Sequence, residues 1–105
     1  LFASPHSEPL KNWFEDISLS ASGIATIQSA YALRDEDGRE DLKAVHVPTA
    51  IFAGAKDQVV LKELTDYQHR EIANSKLYVL ENSGHGVFYD ELDRFNECFL
   101  EFINE

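Results

Sequence analysis

Apolar side chains recur at helical spacing through the first third of the chain. Residues three or four positions apart lie on one face of a helix, so such a stripe predicts a helix. The first stripe predicts a helix within residues 5–20 and consists of Leu10, Trp13, Phe14, Ile17 and Leu19. The second predicts a helix over 23–34, which Ser22 is suited to cap, and consists of Ile24, Ile27, Ala30, Tyr31 and Leu33.

The second half of the chain alternates between short apolar runs and helical patterns. After a polar turn and one helical turn over 40–44, residues 47–53 are nearly continuously apolar, which is typical of a strand covered on both faces. A moderately periodic helix over 61–74 separates this run from a second buried strand, 77–80. The clearest helical pattern follows over 90–104, where Asp90 and Glu91 suit the start of a helix.

This order of strand, helix, strand and helix predicts two parallel strands joined by a right-handed crossover. The fold class is therefore α/β. Two strands do not form a stable sheet by themselves, and both are predicted to be fully buried. We therefore expect their open edges to pair with a missing segment of the protein or with a second copy of this chain.

Composition narrows the classes of function. A formal net charge of −10 over 105 residues argues against nucleic-acid binding, which needs clustered Lys and Arg. The only cysteine, Cys98, cannot form a disulfide within the chain, which indicates either a reducing compartment or no preference, and we expect a cytoplasmic protein. No apolar run approaches the roughly 20 residues of a membrane helix. Because the chain has no methionine and starts at Leu1, we expect it to be a piece of a longer polypeptide.

Two loops place candidate catalytic side chains after the two strands. Asp57 follows the first strand, and His85 follows the second, between Gly84 and Gly86, whose backbone freedom would let the ring project. A carboxylate and an imidazole at one edge of a parallel sheet are two members of a charge-relay triad. The alternative is that Asp57 only binds turn amides or caps the next helix, and that His85 is an ordinary turn residue.

An ordered set of short motifs carries a family resemblance. They are Gly38-Arg39-Glu40-Asp41-Leu42, Val47-Pro48-Thr49, Gly54-Ala55-Lys56-Asp57-Gln58-Val59-Val60 and Ser83-Gly84-His85-Gly86. With them the chain resembles the C-terminal part of an α/β-hydrolase, in the branch of cofactor-free haloperoxidases, related esterases and hydrolase-like signalling proteins. The resemblance implies a helical cap or lid over residues 1–44 and the C-terminal βαβα part of the hydrolase core over 45–105. It also implies that Asp57 is the triad acid and His85 the general base.

The nucleophile of such a triad is missing. It would lie at a Gly-x-Ser-x-Gly turn between a strand and a helix, and neither Ser22 nor Ser83 has both glycines. The resemblance thus implies a fragment of a serine-dependent hydrolase that acts on an ester or related acyl substrate. It allows perhydrolysis, implies no metal or organic cofactor, and leaves this chain inactive when alone. The alternatives are a non-catalytic ligand-binding or signalling module of the same fold and an inactive, self-associating fragment.

Other residues give weaker functional signals. His6, His46 and His69 lack the spacing of metal ligands, and the acidic turn Asp35-x-Asp37-Gly38 fails as a calcium loop because the glycine and the final glutamate are absent from their positions. Cys98 is predicted to be a small core residue. The aromatic stripe of the first helix is open to two interpretations, a substrate-facing lid or ordinary packing.

Overall fold

The computed structural model describes all 105 residues and contains five α-helices, two 3₁₀ helices and a sheet of two parallel strands. In chain order the elements are a 3₁₀ helix Pro5–Ser7, α1 Glu8–Leu19, α2 Gly23–Asp35, a 3₁₀ helix Arg39–Ala44, β1 Thr49–Gly54, α3 Lys62–Glu71, β2 Ser75–Leu80, α4 Val87–Asp90 and α5 Leu92–Ile103. None of the helices combines the length and the apolarity that crossing a lipid bilayer requires.

The predicted parallel pair is present, with Thr49 opposite Ser75 and Gly54 opposite Leu80. The connecting helix α3 packs against both strands. β1 begins after Pro48 rather than at Val47, because proline has no N–H to donate to the neighbouring strand. The Thr49 amide, at the start of β1, donates to the Asn74 carbonyl at 3.0 Å. The parallel sheet fixes the carboxyl ends of β1 and β2 at one edge.

Within these 105 residues the two strands are not fully buried, so the predicted full burial needs cover that this chain does not supply. Ile51, Ala53 and Leu80 are buried, but most other strand residues are only partly covered. An aromatic cluster covers one region of the sheet, where Phe52 stacks on Tyr78 at 5.2 Å between ring centroids and lies 4.6 Å from Phe95 of α5. Because only two strands are present, the elements of this chain leave part of the sheet open.

The last predicted helix is interrupted near its start. Asp90 is the final residue of α4, and α5 begins at Leu92, with the backbone of Glu91 between them at φ −135° and ψ 62°. Asp90 therefore does not lie at the exposed N-terminus of the long helix, as its sequence pattern predicted. It is 2% exposed and its carboxylate binds groups outside the helix.

The two helices of the first third stand apart from this core. Their predicted positions are confirmed, and Ser22 caps α2 by accepting a 3.3 Å bond from the Ala25 amide. Neither α1 nor α2 buries a single residue, and large apolar side chains such as Ile24 and Leu33 are exposed. The division into a cap over 1–44 and a core over 45–105 stays a prediction.

Candidate active site

Asp57 lies in the loop after β1 and uses its two carboxylate oxygens for different partners. Oδ1 accepts hydrogen bonds from the backbone amides of Val59, at 2.8 Å, and Val60, at 2.9 Å. Oδ2 lies 2.9 Å from Nδ1 of His85. Asp57 thus binds the amides of its own turn and also pairs with His85. The two amide bonds fix the orientation of the carboxylate to which the imidazole is hydrogen-bonded.

The pKa of Asp57 is set by opposing effects. Partial burial raises the pKa, but the hydrogen bonds from the Val60 amide, the His85 imidazole and the Val59 amide together outweigh it. The net pKa lies below the ordinary value of an aspartate. Asp57 is therefore an anion at neutral pH and can only accept a proton in a hydrogen bond.

The imidazole of His85 is oriented by this anion. Because a carboxylate has no proton to give, Nδ1 of His85 carries the proton and donates it to Asp57. In the neutral ring Nε2 then has a free lone pair, and this nitrogen makes no hydrogen bond within the chain. The side chain is 41% exposed, so Nε2 is available to a group that these 105 residues do not supply.

Close backbone packing brings the two loops together at the carboxyl edge of the sheet. The amide of Lys56 donates to the Ser83 carbonyl at 2.9 Å, and the amide of Ala55 donates to the Leu80 carbonyl at 2.9 Å. Gly54 lies directly beneath this crossing, where an added Cβ would overlap the carbonyl oxygens of Gly84 and Ser83. A side chain at position 54 would therefore separate the loop that carries His85 from the loop that carries Asp57.

The glycines beside His85 serve close approach rather than unusual backbone conformation. No glycine of the chain has a positive φ. A Cβ on Gly84 would lie 2.7 Å from the Leu1 carbonyl oxygen, and one on Gly86 would lie 2.5 Å from the Phe2 ring. The predicted role of these glycines in projecting the ring is thus replaced by contact with the first residues of the chain.

Two acidic residues near the site were not recognised from the sequence. Asp90 accepts a hydrogen bond from the Gly84 amide at 2.8 Å, and Glu91 accepts from the Asn82 amide at 3.0 Å and from the Ser83 hydroxyl. Both acidic residues lie where the sequence predicted the start of a helix, so the local pattern gave no sign that they bind the loop before His85. The carboxylates of the two consecutive acidic residues therefore hold residues 82–84, the loop just before His85.

The remaining candidates lie away from the Asp57–His85 pair. Ser83 is fully buried and its hydroxyl donates to Glu91, so it does not face the imidazole. The other histidines are exposed, with His6 beside the Tyr89 carbonyl and His69 beside the Ser75 hydroxyl. Cys98 is 1% exposed within α5, as predicted for a core residue. Of the residues predicted to be catalytic, Asp57 and His85 are brought within hydrogen-bonding distance of each other.

Two depressions adjoin the pair. A cavity of about 530 Å³ borders Asp57 and is lined by the residues Leu1, Phe2, Ala3, Ala55, Lys56, Gln58 and Gly84. A smaller cleft of about 180 Å³ borders His85 and is largely aromatic, with Phe2, Phe14, Phe88 and Tyr89 in its walls. The Asp57–His85 pair thus has a partly polar space beside the carboxylate and an apolar cleft beside the imidazole.

The chain is similar to known proteins in both sequence and structure. The sequence is 41% identical over 103 residues to the AB hydrolase superfamily protein YisY of Bacillus subtilis (strain 168), a match that covers 98% of this chain and 38% of that protein. The structure matches an esterase (EaEST) from Exiguobacterium antarcticum with a TM-score of 0.91 and 47% identity, over 99% of this chain and 39% of the esterase.

A bromoperoxidase from Bacillus anthracis matches with a TM-score of 0.85 and 32% identity, over 98% of this chain and 37% of that protein. No protein-family model matches the sequence. The chain spans less than two fifths of the length of these relatives.

Proposed function

This chain corresponds in sequence and fold to the C-terminal part of α/β-hydrolases of the esterase and haloperoxidase branch, and we therefore propose that the protein containing it is a serine-dependent hydrolase. Its substrate is an ester or a related acyl compound. The observation that carries the proposal is the Asp57–His85 hydrogen bond of 2.9 Å, with Nε2 of the imidazole left free.

The proposed mechanism divides the proton handling between these two residues. A serine outside these 105 residues attacks the acyl carbonyl, and Nε2 of His85 takes the hydroxyl proton as the C–O bond of the acyl-enzyme forms. His85 then gives that proton to the leaving alkoxide. In the second half-reaction His85 deprotonates water, which attacks the acyl-serine, and the proton returns to the serine oxygen. Asp57 holds the Nδ1–H tautomer and stabilises the imidazolium that forms twice in each cycle.

Perhydrolysis is a second candidate reaction of the same site. The similarity to a bromoperoxidase favours it. Hydrogen peroxide replaces water in the second half-reaction. It gives one proton to His85 as its oxygen attacks the acyl carbon, the bond from that carbon to the serine oxygen breaks, and the serine oxygen takes the proton back as the peracid is released. Competition between peroxide and water for the acyl-enzyme, measured from the ratio of peracid to acid formed, tests this reaction separately from ester hydrolysis.

We also propose a cytoplasmic location and a structural partner for this chain. The single cysteine favours a reducing compartment, and we place the protein in the cytoplasm. The partly covered strands favour pairing of the open sheet edge with the rest of the hydrolase fold. Pairing with a second copy of this chain is the alternative partner, and the size of the complete protein in solution distinguishes the two.

The test is turnover of a short-chain aryl ester by the complete protein that contains this chain. His85→Ala is expected to lower kcat by about 10²- to 10⁴-fold, the usual contribution of a general base. His69→Ala is the matched control, because His69 is exposed and its ring is hydrogen-bonded to the Ser75 hydroxyl rather than to Asp57. Tight binding of the ester without steady-state turnover in the unaltered protein would contradict a hydrolase and favour a ligand-binding module.

A further inference from the structure

Asp90 is a buried carboxylate that the proposed mechanism does not use. It is 2% exposed and accepts four hydrogen bonds from two separate parts of the chain. One donor is the Gly84 amide, immediately before His85. The other three lie at the start of the chain and are the Ala3 amide at 2.7 Å, the Ser4 amide at 3.0 Å and the Ser7 hydroxyl at 2.7 Å.

The two oxygens of Asp90 divide these donors in a way that joins the segments. Oδ2 receives both the Gly84 amide and the Ala3 amide, so a single atom links the His85 loop to residue 3. Oδ1 receives the Ser4 amide and the Ser7 hydroxyl, which fixes the same segment a second time. The Gly86 amide completes the link by donating to the Leu1 carbonyl at 2.9 Å.

We propose that Asp90 is a positioning residue that holds the His85 loop against Asp57 by tying it to residues 3–7. This inference builds on the proposed function, since it assigns Asp90 an effect on catalysis through His85. The loop is then held from two sides. The loop that carries Asp57 binds it at the Ser83 carbonyl, through the Lys56 amide, and Asp90 binds it at the Gly84 amide.

The four donors require an ionised carboxylate. Asparagine would keep one acceptor oxygen but would turn an NH₂ group toward two of the donors, which leaves these buried groups unpaired. Burial raises the pKa of Asp90, but the bonds from the amides of Ala3, Gly84 and Ser4 and from the Ser7 hydroxyl outweigh it, so the pKa lies below its ordinary value. The anionic form that accepts all four bonds is the form present at neutral pH.

The kinetic test compares Asp90→Asn with Asp93→Asn in the complete protein, using the same aryl ester. Asp93 is exposed in the first turn of α5, so Asp93→Asn removes the same charge at a residue that makes no hydrogen bond to the His85 loop. We expect Asp90→Asn to lower kcat by about 10²-fold, the scale of a small misplacement of a catalytic group, while KM changes by less than about twofold. Asp93→Asn is expected to leave both constants unchanged.

A second readout does not depend on activity. The ¹⁵N chemical shifts of the His85 ring report which nitrogen carries the proton, and the bond to Asp57 selects Nδ1–H. We expect the Nδ1–H population to fall in Asp90→Asn and to persist in Asp93→Asn. If Asp90→Asn does not fold, Ser7→Ala removes one of the four bonds and is expected to lower kcat severalfold and to reduce the Nδ1–H population partly.

The outcomes separate the inference from the function it builds on. If the complete protein has no esterase activity but Asp90→Asn changes the His85 tautomer, the proposed function fails and the positioning role stands. If the unaltered protein turns over the ester, and the folded Asp90 or Ser7 variant keeps both its kcat and its His85 tautomer, the positioning role is overturned. A variant that only lowers the melting temperature gives that same negative result.

Discussion

Nδ1 of His85 lies 2.9 Å from Oδ2 of Asp57, although the two residues are 28 positions apart in the sequence. The other oxygen of Asp57 is held by two backbone amides of its own turn. The turn amides therefore orient the aspartate independently of the imidazole, and little reorganisation is needed when the ring becomes charged. That preorganisation is what a proton-transfer pair requires.

Replacing Asp57 with asparagine tests the role of its charge. Asp57→Asn can still accept bonds from the turn amides through one oxygen, but its NH₂ group would face Nδ1 and favour the opposite tautomer of His85. We expect kcat for an aryl ester to fall by about 10³-fold or more. Asp66→Asn on α3, whose carboxylate pairs only with Lys62, is the matched control and should keep its kcat. Equal rates in the two variants would show that Asp57 is only a turn residue.

Gly54→Ala tests whether the crossing of the two loops is needed. The new methyl group would overlap the backbone of Gly84 and Ser83, which are held by several hydrogen bonds. We expect a loss of about 1–3 kcal/mol in the free energy of unfolding and a fall in kcat, because the His85 loop must move away from Asp57.

Gly23→Ala provides a control for this experiment, since nothing lies within 4 Å of the added Cβ at the start of α2. Its stability should be unchanged or slightly higher. A Gly54 variant with normal activity and normal stability would refute the close approach of these loops.

Acid stability should depend on Asp90 and Asp57. Both carboxyl groups have a pKa below the ordinary 3.8 in the folded protein, so the unfolded chain binds more protons than the folded one as acid is added. Their stabilisation is thus fully present above about pH 5 and is lost as the pH falls through 3.8 toward the lower folded values. Urea unfolding of the complete protein between pH 3 and 7 measures this dependence.

In the same series Asp90→Asn should lower the free energy of unfolding at neutral pH by about 2 kcal/mol, because buried donors lose their partner. It should also flatten the dependence on pH below 5. Asp93→Asn is expected to keep the slope of the unaltered protein. An unchanged slope in Asp90→Asn would contradict the four charge-assisted bonds assigned to this residue.

Labelling with a fluorophosphonate locates the nucleophile. Ser83 is fully buried and donates to Glu91, so the reagent should not modify it. We expect the complete protein to be labelled once, at a serine outside these 105 residues, and the isolated chain to remain unlabelled. Peptide mass spectrometry identifies the modified residue. Stoichiometric label on Ser83 or on another serine of this chain would show that the nucleophile lies within it.

The main elements and the pairing of the site could be predicted because they follow from local patterns. Apolar periodicity is a property of neighbouring residues and located α1, α2 and α3, and continuous apolar runs located both strands. The approach of Asp57 and His85 follows from one general rule, that the carboxyl ends of parallel strands meet at the same edge. Their catalytic roles came from the family resemblance and stay proposals.

The supporting contacts could not be predicted because they join distant segments. Asp90 and Glu91 have the local pattern of a helix start, whereas the structure uses them to bind residues 3–7 and 82–84. The interruption between α4 and α5 accompanies these bonds. In the same way, Gly84 and Gly86 are needed for contact with Leu1 and Phe2, which no spacing in the sequence reveals. The incomplete burial of the strands depends on what covers the open edge.

A double-mutant cycle on kcat for aryl ester hydrolysis, with Asp57→Asn, His85→Ala and the double variant of the complete protein, tests directly whether the two side chains handle the proton together. If the two side chains act as one proton-handling unit, the double variant should be about as slow as His85→Ala alone, because Asp57 has no imidazole left to orient. Losses that multiply, so that the double variant is slower by the product of the two single effects, would show that Asp57 and His85 act independently and would contradict their shared role in proton transfer.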